Sequence, residues 1–437
     1  MSTNTTVTRP GRLRWAVIGL AAGASCLAIM DTAILGVAMP TISTDLGLDA
    51  AQTGILFSGF ALSMAVFQLP AGVMVDKYGA RRMLGFGALL WSLATAAAGM
   101  AKGLSTLIVS RILLGLGQAP QQQACVKVVS EWMPLRERAL ASGLYDTGGA
   151  VGSALAFPLA AALIALSGWR SAFVVCGGLG IIWALVWLQF YRKPQDHPRI
   201  GAAELAMLEN DDARNRPDEP AVALAAFFTQ RKVWGLILAF LTRGFSMAFF
   251  LTWLPTYLVD TYGFSLLKTG TLSALPIVAG VIGNLVGGFF TDWLVRRGHS
   301  LDYSRKVTMV LGIVSAMAMA PAAFVDNAIL AVALLALANF GTQFASGAMW
   351  SLPADLAPNE ASVGRLAGIQ NGALWLGSFL SPLFVGFVVK AAGGNFTVPL
   401  LVGGLMGVLT LVAIFWIVGR IEPLRIGRPA NLEEVGR

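Results

Sequence analysis

Charge is what this chain has least of. Asp, Glu, Lys and Arg make up 12% of its 437 residues, roughly half the share of an ordinary soluble domain. That deficit argues against a soluble multidomain protein. Side chains suited to covalent or metal chemistry are also scarce, with two histidines and three cysteines. Cys26, Cys125 and Cys176 lie inside apolar runs without metal-ligand spacing. They read as packing residues and imply neither a metal site nor a disulfide framework. His197 and His299 fall in polar stretches, so the apolar segments hold no histidine, no Ser–His pair and no metal cluster. A membrane-bound enzyme is disfavoured on that ground. A phosphate loop of the form G-x-x-x-x-G-K-S/T is missing as well. Any work done by this chain must therefore draw on a gradient, and no cofactor beyond a coupling proton is expected.

What the chain has in abundance is apolar sequence, 56% of the total. A helix needs about 20 residues to cross the bilayer core. Runs of that order recur at 15–40, 52–75, 83–101, 104–131, 139–166, 169–191, 233–259, 268–295, 305–325, 328–352, 362–391 and 396–419. The spacing predicts an all-α membrane protein of twelve transmembrane helices, with the lipid bilayer as its surroundings. The first run is too long for the core of a signal peptide and is expected to remain as a span. A net charge of +8 is of the sign that suits a nucleic-acid partner, but its distribution has another cause. With the N-terminus in the cytoplasm, 24 of the 31 Lys and Arg residues fall on that side, against Lys102, Arg170, Lys268 and Lys390 opposite. The positive-inside rule then places both termini in the cytoplasm, and no nucleic-acid partner is expected.

The order of motifs repeats once. Pro40, Thr41 and Asp45 recur as Pro255, Thr256 and Asp260 at an offset of 215. Thr53, Gly54, Leu56, Gly72 and Asp76 recur as Thr269, Gly270, Leu272, Gly288 and Asp292 at 216. Gly143, Gly152 and Ser153 recur as Gly368, Gly377 and Ser378 at 225. An offset that drifts so slowly marks a duplicated six-helix unit, with pseudo-symmetric halves over 1–191 and 233–437. The stretch 192–232 breaks the apolar pattern with Arg192, Lys193, Pro194, the run Glu209 to Asp212, and Pro217 to Pro220. It reads as a cytoplasmic tether, carrying at most a short surface helix over 202–210. Parallel repeats of this kind are a common plan of secondary transporters.

Gly72-Val-Met-Val-Asp76-Lys77-Tyr-Gly79-Ala-Arg81-Arg82 resembles the signature loop between helices two and three of the major facilitator superfamily. Gly288 to Arg297, with Asp292 and Arg296, is a weaker second copy, and Arg111 to Gly117 resembles the family's fourth-helix motif. In such a loop Gly72 and Gly79 permit close helix approach and a tight turn. Asp76, Arg81, Arg82, Asp292 and Arg296 are expected to form a charged latch that pairs in one conformation and releases in another. Within the superfamily the chain resembles the anion:cation symporter branch of bacterial sugar-acid transporters, vesicular glutamate transporters and sialin. Asp31 to Pro40 and Ser130 to Arg138 carry that likeness, together with Arg243. Arg243 matches the seventh-helix arginine that binds substrate carboxylate in the glutamate and sialin members. Thr32 and Gln118 depart from the sugar-acid members, which often have Arg and Glu there. The resemblance implies a small organic anion as partner and the bacterial inner membrane as location. A monomer is expected.

A charge in hydrocarbon must face a cavity or a partner. Asp31 lies sixteen residues beyond Trp15, about 24 Å along a helix, which is too deep to snorkel. Such a carboxylate is suited to carry a proton, the alternative being a permanent pair with an arginine. Arg243 offers a planar fork to a substrate carboxylate, with a pair to Asp31 as the alternative. Arg111, Gln118, Gln122 and Cys125, at steps of seven, four and three, are expected on one helix face. That face would present Gln118 and Gln122 to substrate, with Arg111 equally a structural or a binding residue. Lys127 reads as snorkelling to the cytoplasmic side. Tyr145, Asn339, Gln343, Trp350 and Asn371 are further binding candidates. Together these features describe a secondary active transporter that imports a small carboxylate with protons by alternating access. An exchanger, an uncoupled facilitator and a membrane sensor stay open.

Overall fold

A computed structural model describes residues 12–209 and 222–424. Arg9, the linker residues Asn210 to Asp212 and Pro217 to Pro220, and the tail beyond Leu424 lie outside the described residues. In hydrocarbon a backbone must satisfy its own N–H and C=O groups, and apolar runs do so as helices. The described residues accordingly form helices and no strand. The first six are α1 (Leu13–Leu46), α2 (Ala50–Tyr78), α3 (Ala80–Ala98), α4 (Leu104–Gln118), α5 (Gln121–Trp132) and α6 (Leu135–Phe190). The linker carries α7 (Ala202–Glu209) and α8 (Leu224–Phe227). Then follow α9 (Arg231–Thr252), α10 (Leu254–Tyr262), α11 (Leu266–Arg296), α12 (Leu301–Ala316), α13 (Ala328–Phe344), α14 (Ser346–Trp350), α15 (Leu352–Leu356), α16 (Glu360–Ala391) and α17 (Thr397–Val412).

Nine helical stretches among the described residues are long and apolar enough to cross a membrane by themselves. Three local features complete the twelve spans. Gly168, at φ 78° and ψ 162°, divides the 56 residues of α6 into two helices, a backbone conformation that strains any side chain. Arg81 and Arg82 in the first turn dilute the hydropathy of the 19-residue α3. Pro120 separates α4 from α5, because it has no N–H to donate to the preceding turn.

Packing divides the chain into two compact units. One comprises Met1–Leu48, Gly59–Pro217 and Ser265–Ala274, the other Asp49–Ser58, Asp218–Phe264 and Leu275–Arg437. Their cores repeat the same backbone contacts. In the first unit a Cβ on Gly152 would stand 2.5 Å from the carbonyl oxygen of Cys26. In the second, a Cβ on Gly377 would overlap the carbonyl oxygen of Leu241. Gly152 and Gly377 are 225 apart, Cys26 and Leu241 215 apart, so one helix crossing occurs twice. Gly117 against Gly87 and Gly341 against Gly312 repeat a second crossing in the same way. Residues without a side chain let helix backbones meet, which is how membrane helices gain packing.

The linker is not a free tether over its whole length. Trp132 Nε1 donates to the Arg192 carbonyl at 3.1 Å. His197 sits edge-on to Trp132 and Phe190, with ring centres 5.5 and 5.6 Å away. Glu204 of α7 is fully buried. Its Oε1 accepts both the backbone N–H and the Nη1 of Arg14 at 3.2 Å. Arg14 Nε reaches Glu137 Oε2 at 3.1 Å. Glu204 thus caps the first turn of α1 from 190 residues away, supplying an acceptor that the helix itself cannot. In the second unit the segment after α17 docks similarly. The Ile421 N–H donates to Asp302 Oδ1 at 2.8 Å and the Leu424 N–H to the Leu356 carbonyl at 2.9 Å. Of the four basic residues expected opposite the cytoplasm, Arg170 pairs with Asp45 and Lys390 with Asp49, at 2.7 and 2.9 Å.

Candidate functional site

Asp31 lies midway along α1 and is 1% exposed, beside Trp91 and Thr95 of α3 and Cys176 of α6. Its Oδ2 has no hydrogen-bond partner among the described residues. Arg111 on α4 is also buried, yet its Nη1 donates to the backbone carbonyl of Asp31, at 3.4 Å, and not to the carboxylate. The guanidinium carbon lies 5.6 Å from the centre of the Phe173 ring, and Nε and Nη2 have no hydrogen-bond partner. The permanent Asp31–Arg111 ion pair is therefore not formed. Gln118 Nε2 donates to the Ala28 carbonyl at 3.1 Å, and Thr32 Oγ1 lies 3.5 Å from Gln118 Oε1.

The single face expected of Arg111, Gln118, Gln122 and Cys125 is split. Pro120 ends the continuous helix, so Gln122 is exposed while Gln118 and Cys125 are buried. Gln121, which periodicity had not singled out, turns to α1 and donates to Ser25 Oγ at 2.9 Å.

Arg243 on α9 is 6% exposed. Its Nη1 donates to the Thr342 carbonyl at 2.6 Å, and its Nη2 to Gln343 Oε1 at 2.7 Å and Ser346 Oγ at 2.9 Å. Nε has no hydrogen-bond partner, and no acidic side chain pairs with Arg243 among the described residues. A cavity of about 30 Å³ adjoins it, with Thr242, Ser246, Thr342 and Thr410 among its lining, space for one or two water molecules. Ser346 gave no sequence signal. A serine in an apolar run acquires a role only because α13 stops at Phe344 and a new turn begins.

The remaining candidates scatter. Asn339 Nδ2 donates to the Pro276 carbonyl at 2.8 Å, which ties it to helix packing. Trp350 packs edge-on against Phe240, 5.3 Å between ring centres. Tyr145 belongs to the core of the first unit, and Asn371 is half-buried on α16.

In the loop expected to act as a latch, Asp76 Oδ1 pairs with Lys127 Nζ at 3.3 Å, and the same Nζ donates to the Val75 and Asp76 carbonyls at 3.2 Å. Lys127 therefore does not simply snorkel; it closes the C-terminal turn of α2. Arg81 donates to the Leu188 carbonyl near the end of α6, whereas Arg82 is exposed. Asp292 is exposed, and Arg296 Nε returns to the Asp292 carbonyl at 3.3 Å. Gly79 takes φ 82° at the turn, as expected. Gly72 is not needed for close approach, since a Cβ there would lie 3.7 Å from Gln123 Cγ, ordinary contact.

Known proteins share this outline along nearly the whole chain. A D-galactonate transporter of Escherichia coli O6:H1 is 33% identical over 394 residues, covering 88% of this chain and 91% of that protein. A probable sulfoacetate transporter of Cupriavidus necator is 31% identical over 409 residues, covering 92% and 94%. Among solved structures, a bacterial homologue of the human lysosomal transporter Spinster, in an inward-facing conformation, shares the fold with a TM-score of 0.71. It is 19% identical, covering 93% of this chain and 95% of its own. These relatives are named as transporters and not as enzymes. The duplicated helical unit and the loop from Gly72 to Arg82 find their explanation in the match of residues 21–364 to the Major Facilitator Superfamily, to which this chain belongs.

Proposed function

We propose that the chain imports a small organic anion together with protons by alternating access, with both termini in the cytoplasm. The observation that carries this reading is Arg243, a buried cation without an acidic partner among the described residues. A buried charge must be paired or bonded, and a carboxylate matches the guanidinium better than the neutral oxygens now around it. The D-galactonate and sulfoacetate named for the relatives are anions of this class. Asp31, deep in the first unit and not locked by Arg111, is the group that loads and releases the driving proton. The test is uptake into proteoliposomes of D-galactonate and of sulfoacetate, with and without an inward proton gradient. The wild type concentrates one of these acids only with the gradient. Arg243→Ala takes up neither, and Arg243→Lys binds at least tenfold more weakly, because an ammonium cannot make the paired bonds. Equal uptake with and without the gradient would indicate a facilitator or exchanger.

A further inference from the structure

The free guanidinium of Arg243 has no edge to offer. Of its five N–H groups, both on Nη2 are engaged, one by Gln343 Oε1 at 2.7 Å and one by Ser346 Oγ at 2.9 Å. A carboxylate can take two parallel bonds from a guanidinium only across the Nη1–Nη2 edge or the Nε–Nη2 edge. Both edges include Nη2. The groups left free, Nε and the second hydrogen of Nη1, lie on different edges and cannot make the fork together. A carboxylate that is to take the two-bond fork must therefore replace one of the two oxygens on Nη2.

The residents are not equally replaceable. Ser346 is buried at the start of α14, and its bond to Arg243 is enclosed. Gln343 is half-buried near the end of α13, on a longer and more flexible side chain. We infer that Gln343 is a placeholder on Arg243, holding with its side-chain carbonyl the position that the carboxylate of the substrate takes over. It sets the affinity by competing for the arginine, and it is a positioning residue of the unloaded carrier and not a ligand of the bound anion. Its departure frees one Nη2 hydrogen, which completes the one edge that this hydrogen faces. This inference rests on the reading of Arg243 as the anion-binding residue.

Titration calorimetry of the purified full chain tests it, with D-galactonate and sulfoacetate as probes and Gln343→Leu, Gln343→Glu and Arg243→Ala beside the wild type. Losing a hydrogen bond to a charged group is worth about ten- to one-hundred-fold in an equilibrium constant. Gln343→Leu should tighten binding by about tenfold or more, because the competitor is gone. Gln343→Glu, a stronger internal occupant, should weaken binding by about one-hundred-fold while raising the Tm of the unloaded protein. Weakening in both variants would make Gln343 a direct ligand and overturn the inference. Should Gln343→Leu fail to fold, Gln343→Ala removes the same amide oxygen from Arg243, and weaker binding in that variant would overturn the inference. Loss of binding in Arg243→Ala together with weakening in Gln343→Leu would sink the placeholder alone. Undiminished binding in Arg243→Ala would sink the underlying reading of the arginine.

Discussion

Asp31 and Ser246 occupy one position of the duplicated unit, 215 residues apart, and the two halves have filled its surroundings differently. Trp91 and Cys176 stand beside Asp31. The matching positions, 225 and 227 residues on, hold Ala316 and Gly403, and the Gly403 carbonyl accepts Ser246 Oγ at 3.2 Å. Where one half packs an indole, the other has a methyl group and a cavity of about 30 Å³. The charges diverge along the same lines. Ala28 and Gln118 correspond to Arg243 and Thr342. Gln118 reaches the Ala28 carbonyl, while Arg243 reaches the Thr342 carbonyl. One helix pair is thus bridged in both halves, with the long side chain on opposite partners. Duplication kept the glycine crossings, where backbones touch, and released the polar positions to specialise. One half holds a buried acid, Asp31, beside Arg111, and the other a buried base, Arg243, with no acid paired to it among the described residues.

The largest expected effect breaks that division of labour at its acidic end. Asp31→Asn fixes the neutral form of the carboxyl. Gradient-driven accumulation of the transported acid in proteoliposomes should fall to the equilibration level. Substrate-for-substrate exchange should continue, because neither leg of exchange requires a proton to leave. Accumulation at the wild-type rate under an imposed pH gradient would place the proton on another residue.

Each half is also strapped by a docked polar segment, the linker in the first and the segment after α17 in the second. Glu204 and Arg14 form a buried pair, their side chains 1% and 9% exposed. Glu422 and Lys232, at the corresponding end of the second unit, pair at 3.1 Å in a more exposed setting. Removing one partner of a buried pair costs about 3–5 kcal/mol, whereas exposed pairs contribute at most about 1 kcal/mol. Glu204→Ala should therefore lower the thermal stability of the purified protein markedly, and Glu422→Ala should hardly change it. Equal effects would mean that α7 is held by apolar contacts and not by its capping carboxylate.

Much of this fold was legible in the sequence because the bilayer leaves an apolar run few choices. Length and hydropathy marked the spans, and the repeated offsets, glycines among them, marked the duplication; that Gly152 and Gly377 are crossing points came only from the structure. Asp31 and Arg243 stood out for the same reason, as charges where charge is costly. The failures have physical causes as well. Gln122 parts from the buried Gln118 and Cys125 because helical periodicity assumes an unbroken helix, and Pro120 breaks it. Glu204 and His197 were passed over because a polar segment shows no sign in its sequence of what it docks against. Lys127 depends on the end of α2, which lies 51 residues away in sequence. Ser346 needed a break between α13 and α14, which the Ser346-Gly347 pair marks only weakly inside a long apolar run.

The glycine crossings themselves allow a matched test of the duplication. Gly152→Ala and Gly377→Ala each push a methyl group against a carbonyl oxygen of a neighbouring helix. Overpacking of this kind costs about 1–3 kcal/mol. Gly143, on the same helix as Gly152, would place a Cβ in open space. Gly143→Ala should be neutral or stabilise by up to about 1 kcal/mol, the helix preference of alanine over glycine. Thermal unfolding of the three variants in detergent reads the order directly. If Gly152→Ala proved harmless while Gly377→Ala did not, the first crossing would be looser than its repeat.

The smallest effect separates the halves by pH, since of the two straps only the linker carries a histidine within the described residues. His197 is buried between Trp132 and Phe190, and this burial holds its pKa below the ordinary histidine value. Arg199 and Arg192 act in the same direction; the Phe190 carbonyl and Glu204 oppose them. Its Nδ1 accepts the N–H of Arg199 at 3.2 Å, a bond that protonation at that nitrogen would abolish. Above the unfolded-state pKa of about 6.5 neither state binds a proton at this site, and its contribution to stability is fully present. As the pH falls below that value the unfolded chain takes up a proton that the folded chain refuses, so stability declines until the folded pKa is reached. The slope from one such group is at most about 1.4 kcal/mol per pH unit. The difference in Tm between the wild type and His197→Phe should therefore be constant above pH 7. Between pH 6.5 and 5 it should drift against the wild type, because phenylalanine keeps the aromatic packing and has nothing to titrate. A difference that stays flat down to pH 5 would mean that the imidazole remains as solvated in the docked strap as in the unfolded chain.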